Sequence, residues 1–148
     1  MSMEIMETME GKIPRLPDLF VWTAEGVKIR SAVCRDCNTY FFPEYHAQHR
    51  PGCPRQNVER VLLNNRGRLA SYTIQHYMCP PPFKTTGDIT PYGIGLVEFP
   101  EGICIAGLIM ESDLESLKIG LPMETIDYTL YQDEAGNDVV TWAFRVIK

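Results

Sequence analysis

The C-terminal half of the chain alternates apolar and polar positions with the two-residue period of half-buried strands. From Leu69 to Tyr77, Ala70, Tyr72, Ile74 and His76 fall on one face. Tyr92 to Phe99 carries Ile94, Leu96, Val97 and Phe99, and Pro100-Glu101-Gly102 then reads as a turn. Ile103 to Met110 is a continuous apolar run of strand length, which predicts a central strand. Gly95 and Gly107 lie inside these runs, where a small closed barrel needs a bulge or a sharp bend.

Ser112-Asp113-Leu114-Glu115 is a capping box, with Leu114 and Leu117 as its apolar stripe. It predicts one short helix, ended by Gly120 and Pro122. Ile126, Tyr128 and Leu130 alternate again, and Asp133 to Asp138, with Gly136-Asn137, reads as a hairpin loop. Val140, Trp142, Phe144 and Val146 form the inner face of a last strand. Five strands with one short helix between the third and fourth predict a Greek-key barrel of the OB type. The alternative, a sandwich, usually needs about seven strands.

The N-terminal half reads differently. Val27 to Val33 alternates moderately and runs straight into Cys34-Arg35-Asp36-Cys37. A C-x-x-C after a strand is the knuckle of a rubredoxin-like ribbon, because the tight turn points both sulfurs at one ion. Cys53-Pro54 follows the second of these cysteines after a loop. A closed structural zinc site takes four ligands, so three thiolates leave one to find. His49 stands at His49-x-x-x-Cys53, and His46 is the alternative. Thiolate with imidazole suits zinc, whereas a rubredoxin-type iron site would want a fourth cysteine. The competing reading is a redox pair, but such a pair normally opens a helix. Here it lies between a strand and Tyr40-Phe41-Phe42-Pro43.

Composition adds limits. The 148 residues are 45% hydrophobic and 22% charged, a globular balance. No apolar run approaches the roughly 20 residues of a membrane span. The N-terminus has neither a basic n-region nor an apolar h-region, so no secretory signal is expected. Five cysteines, an odd number, then argue for a cytoplasmic chain that uses them for metal or packing, not for a disulfide scaffold. Cys104, inside the apolar run, is expected to pack. Cys79, three residues after His76, could form a nucleophile pair with it, but His76 is better read as packing at the barrel rim.

The net charge of −5 is unevenly spread. Residues 28–68 hold eight basic and three acidic side chains, whereas residues 69–148 hold four basic and eleven acidic ones. The expected organisation is an N-terminal segment over 1–26, a zinc ribbon over 27–63 and an OB domain over 64–148. The basic ribbon offers a surface for a phosphate-bearing ligand or an acidic partner. The stretch from Met78 to Pro91, with Pro80-Pro81-Pro82, Phe83 and Lys84, is long for a hairpin connection and is a second candidate contact surface. No phosphate loop, Ser-His-Asp set or paired carboxylate stands out.

A ribbon joined to such a barrel resembles the zinc-ribbon/OB-fold family associated with acyl-CoA enzymes. The resemblance rests on Val33-Cys34-Arg35-Asp36-Cys37, Phe42-Pro43, Cys53-Pro54, Gly67 to Thr73, the Pro80-Pro81-Pro82 loop, Gly95 to Gly102 and Leu117 to Gly120. It covers about residues 13–148. It implies a non-catalytic small subunit beside a thiolase-like or hydroxymethylglutaryl-CoA-synthase-like partner, or in some members an acyl-CoA-hydratase-like one; the partner expected here is a thiolase-like large subunit that supplies the nucleophile and the acid/base groups of an acyltransferase. The reaction of the complex would be thiolytic cleavage or formation of a 3-oxoacyl-CoA. The implied cofactor is Zn2+, with Cys34, Cys37, Cys53 and His49 (or His46) as ligands. The second knuckle of the family reads Cys-Pro-x-Cys, and Gln56 stands at the fourth position here. A CoA thioester would be the substrate of the complex, with Arg35, Arg50, Lys84 and Phe83 near its entrance. Two rival readings are a stand-alone acyl-CoA-binding module and a single-strand nucleic-acid binder. The acidic barrel half counts against nucleic acid.

Overall fold

In the computed structural model, residues 5–6, 9–44, 49–76, 91–111 and 113–147 are described. The strands in chain order are β1 (Ile5–Met6), β2 (Lys12–Pro14), β3 (Phe20–Thr23), β4 (Gly26–Cys34), β5 (Thr39–Phe41), β6 (Val58–Leu62), β7 (Arg66–Gln75), β8 (Tyr92–Glu98), β9 (Cys104–Ile109), β10 (Pro122–Gln132) and β11 (Asp138–Val146). The protein is therefore mainly β.

The last five strands close on themselves in the order β10-β7-β8-β9-β11, with β11 pairing back to β10. β9 and β11 run parallel and the other pairs of the ring are antiparallel. This is the expected five-stranded OB-like barrel. Alternation fills it: Leu69, Val97, Ile105, Ile109, Met123 and Phe144 are buried inside. Gly95 and Gly107 are needed there. A Cβ at Gly107 would lie 2.7 Å from the Phe144 ring, and one at Gly95 2.7 Å from Ile109 Cδ1.

Several details depart from the sequence reading. The first barrel strand begins at Arg66, and its register slips between Leu69 and Ser71. Leu69 is therefore the buried residue, while Tyr72 and Ile74 face Gly95 and Gly93 after the bulge. His76 is exposed and does not pack at the rim. Cys104 is exposed, since the alternation of β9 turns it outward opposite Glu98. The helix is a single 3-10 turn, Leu114–Ser116, capped by Asp113, whose side chain accepts the Glu115 N–H. Ser112 lies outside the described residues.

The N-terminal half is tied to the barrel. Ile29 and Leu63 enter the barrel core, and Leu19, Phe20, Trp22 and Val27 form a second core with Val140. β2 extends the sheet at β11, and β3 pairs with β4. Asn65, buried at the crossing, donates its amide to the carbonyls of Val27 (2.7 Å) and Thr125 (3.0 Å). The outer end of β4 pairs with both β5 and β6, giving a three-stranded ribbon.

Candidate metal centre

Cys34 is the last residue of β4 and pairs with Thr39 at the start of β5. The turn between them contains Cys37 and then Asn38, whose φ of 55° lies in the left-handed region that asparagine tolerates. This turn returns Cys37 beside Cys34. A second turn does the same for His49 and Cys53, with the Cys53 N–H donating to Arg50 O at 3.1 Å and Gly52 at φ 82°.

The four donor atoms of Cys34, Cys37, His49 and Cys53 all lie within 4.8 Å of one another. Cys34 Sγ is 3.5 Å from Cys53 Sγ, and His49 Nδ1 is 3.5 Å from Cys53 Sγ and 3.9 Å from Cys37 Sγ. A tetrahedral ion with metal–sulfur bonds of about 2.3 Å would set sulfur–sulfur edges of roughly 3.8 Å. The observed spacings suit such an ion, and three thiols with one imidazole form a coherent soft donor set. Cys34 is buried and the other two cysteines are half-buried.

The neighbours of the cluster fix the two turns together. Asp36 accepts the N–H of Gln56 (2.9 Å), the N–H of Asn57 (3.0 Å) and the side-chain amide of Asn57 (2.7 Å). These bonds, led by the Asn57 side chain, hold its carboxyl below the usual carboxylate range. Gln56 thus contributes its backbone to this clasp, and its side chain is exposed. The Arg55 N–H donates to Cys53 Sγ at 3.3 Å. Ala32 and Phe41 pack against the cluster, and the Phe41 and His49 rings lie 5.8 Å apart.

The thiols differ. The Thr39 hydrogen bond, then the Arg50 N–H and His49, pull Cys37 down to about 5. Desolvation, together with the neighbouring thiols, pushes Cys53 up to about 11.

Of the proposed ligand-contact residues, Arg35 and Arg50 are exposed on the ribbon. The Arg35 guanidinium is engaged by Glu59 and is not free to turn to a ligand without giving up that pair. His46, Cys79, Phe83 and Lys84 lie outside the described residues. Asp36 and Thr39 were not foreseen as parts of the site. The aspartate in the knuckle and the Asn57 that answers it are separated by a loop, so no local pattern connects them.

A ribbon bearing a Cys3His cluster, fused to an OB-like barrel, defines the class. Residues 60–127 match the family model described as the C-terminal OB-fold domain of ChsH2. Two archaeal relatives are named DUF35 domain-containing scaffold proteins. The one from Methanocaldococcus jannaschii is 26% identical over 113 residues, 76% of this chain and 75% of that protein. The one from Methanothermobacter thermautotrophicus is 27% identical over 113 residues, 76% of this chain and 80% of that protein. Among solved structures, a chain of the Ltp2-ChsH2(DUF35) aldolase has the same fold. It superposes with a TM-score of 0.57 at 22% identity, covering 80% of this chain and 84% of that one. Among the described residues no helix is long and apolar enough to cross a membrane.

Proposed function

We propose that this chain is a zinc-bearing, non-catalytic scaffold subunit of an acyl-CoA-processing complex, of the DUF35 type. Its large subunit is thiolase-like and supplies the reacting groups. The observation that carries the reading is the pairing of a Cys3His ribbon with an OB-like barrel, in a chain whose relatives are named scaffold proteins.

Cys34, Cys37, His49 and Cys53 would hold the ion. With four protein donors the coordination shell is complete, so the metal supplies a cross-link and leaves no position for an activated water. The role assigned to the cluster is to set the shape of a ribbon too small for a core of its own. Arg35 and Arg50 line the acyl-CoA entrance in this reading, with Phe83 and Lys84 from the 78–91 segment. The reaction of the complex is thiolytic cleavage or formation of a 3-oxoacyl-CoA, with benzoylsuccinyl-CoA as the favoured substrate. The complex works in the cytoplasm.

Purification of the tagged chain from its native source tests the proposal. A stable hetero-oligomer with a thiolase-superfamily protein, active on acyl-CoA only when both chains are present, is the expected result. Isolation of the chain alone, or full activity of the large subunit without it, would overturn the scaffold role.

A further inference from the structure

In a small barrel the inward positions make the core and the outward ones meet water, so outward positions are ordinarily polar. One sector of this barrel breaks that rule. On β8 and β9, Val97, Ile105, Ile109 and the strand glycines face the core, which turns Ile94, Leu96, Ala106 and Leu108 outward.

The register carries this apolar surface across four strands. Ile94 faces Leu108, Leu108 faces Ala143 on β11, and Ala143 faces Ile126 on β10. Leu96 faces Ala106 in the next row, and Met110 follows the end of β9. Leu96 is 37% and Met110 38% exposed, and Ala106 is exposed as well. Ile94, Leu96, Leu108 and Ile126 belong to none of the buried clusters. We propose that this outer face of β8 and β9, continued by Ala143 and Ile126, is where the barrel docks the large subunit, which meets it with an apolar strip bordered by lysine or arginine. The inference rests on the scaffold reading and names its contact surface.

Size limits what the face can do alone. With strands about 4.8 Å apart and outward positions about 7 Å apart, it covers roughly 300 Å2. That is the scale of the largest apolar patches on monomers, which are often functional. A standard interface buries about 800 Å2 on each side. The face can therefore supply the apolar centre, and the rim must come from its surroundings.

Those surroundings select the partner. Residues 91–117 contain five acids and no lysine, arginine or histidine. Glu98 closes one end of the face, opposite Cys104, and Glu111 and Asp113 follow Met110 at the other. Arg145, two residues beyond Ala143, is engaged by Glu124. A second copy of the chain would set one acidic rim against another, which is unfavourable. A different protein with a basic rim gains at the same contacts.

Light scattering of the isolated chain, and titration calorimetry with the large subunit recovered by co-purification, test the face. The isolated chain should be a monomer and should bind that subunit. Leu96→Ser/Met110→Ser should weaken binding by at least about tenfold, with zinc content and melting temperature unchanged. Glu98→Lys should weaken it by about threefold at low salt and flatten its salt dependence. Ile119→Ser, at a 72% exposed side chain outside this face, should bind as the wild type does. Wild-type affinity in the double variant would overturn the face and leave the scaffold reading standing. Unchanged affinity and salt dependence in Glu98→Lys would overturn the basic rim. A dimer of the isolated chain that the double variant dissolves would assign the face to a second copy and overturn the proposal too. If no large subunit is recovered with the chain, the scaffold reading falls and this inference with it.

Discussion

Asp36 accepts the backbone N–H of Gln56 at 2.9 Å, so the residue at the position where the resembled family has a cysteine acts through its main chain. The donor cluster is completed by His49 instead, from the other side of the second turn. The expected outcome is about one zinc per purified chain, and this is the content to be read by elemental analysis. His49→Ala should lose most of it, while Gln56→Ala should keep it in full. Full zinc in His49→Ala would remove His49 from the ligand set and return the fourth place to His46.

The clasp itself makes a separate prediction. Asp36 touches no donor atom, yet it binds the second turn to the first through three N–H groups. Groups that position ligands in this way typically change metal affinity by about 10–100-fold. Asp36→Ala should therefore speed zinc release to a chromogenic chelator by at least about tenfold, with the starting metal content unchanged. Release at the wild-type rate would show that the turns hold their shape without the clasp.

Much of this site could be read from spacing alone. Cys34-x-x-Cys37 and His49-x-x-x-Cys53 are local patterns, and a tight turn leaves few places for their side chains to point. The barrel was legible for a similar reason, because alternation over Tyr92–Glu98 and Asp138–Val146 fixes which faces meet. What escaped was set by long-range pairing. The buried run Leu19 to Trp22 looks like part of a leading segment until β4 and Val140 cover it. Leu69 and Ala70 exchange their expected roles at the bulge, which no period-two reading anticipates.

Asn65 is a polar link between the two halves. It is 7% exposed and satisfies two carbonyls, on β4 and β10, with one amide. Asn65→Ala would leave both carbonyls buried and unpaired, at a cost of about 2–3 kcal/mol. Asn65→Asp should be at least as costly, since it cannot donate to them. Denaturant midpoints measured for both variants check the prediction, and a change below about 0.5 kcal/mol would mean that water or a backbone shift replaces the amide.

Gly107 tests the packing of the barrel. A Cβ at that position would lie 2.7 Å from Phe144 Cε2, and Phe144 is fully buried. The ring is rigid and enclosed, so Gly107→Ala should destabilise by about 1–3 kcal/mol through overpacking. Gly95→Ala meets the flexible end of Ile109 and should cost less. Equal melting temperatures for the two variants would contradict this ordering.

Asp127 joins the N-terminal strands to the barrel and gives the fold a pH dependence. Its carboxylate accepts Lys12 Nζ at 2.6 Å and the Trp22 indole N–H at 3.2 Å. Burial alone would raise its pKa, but the Lys12 and Trp22 hydrogen bonds and the Lys12 charge outweigh burial and lower it. A carboxylate depressed in the folded state contributes stability that is complete above its unfolded pKa, near 3.9. That contribution is lost as pH falls through the lower, folded value. The pair is partly exposed, so solvent screening limits it to about 1 kcal/mol at neutral pH. Asp127→Asn should lose roughly that amount at pH 7 and lose progressively less relative to wild type as pH falls below about 4. A constant gap between the two proteins from pH 7 to pH 3, read from denaturant midpoints, would place the effect in packing and not in the charge.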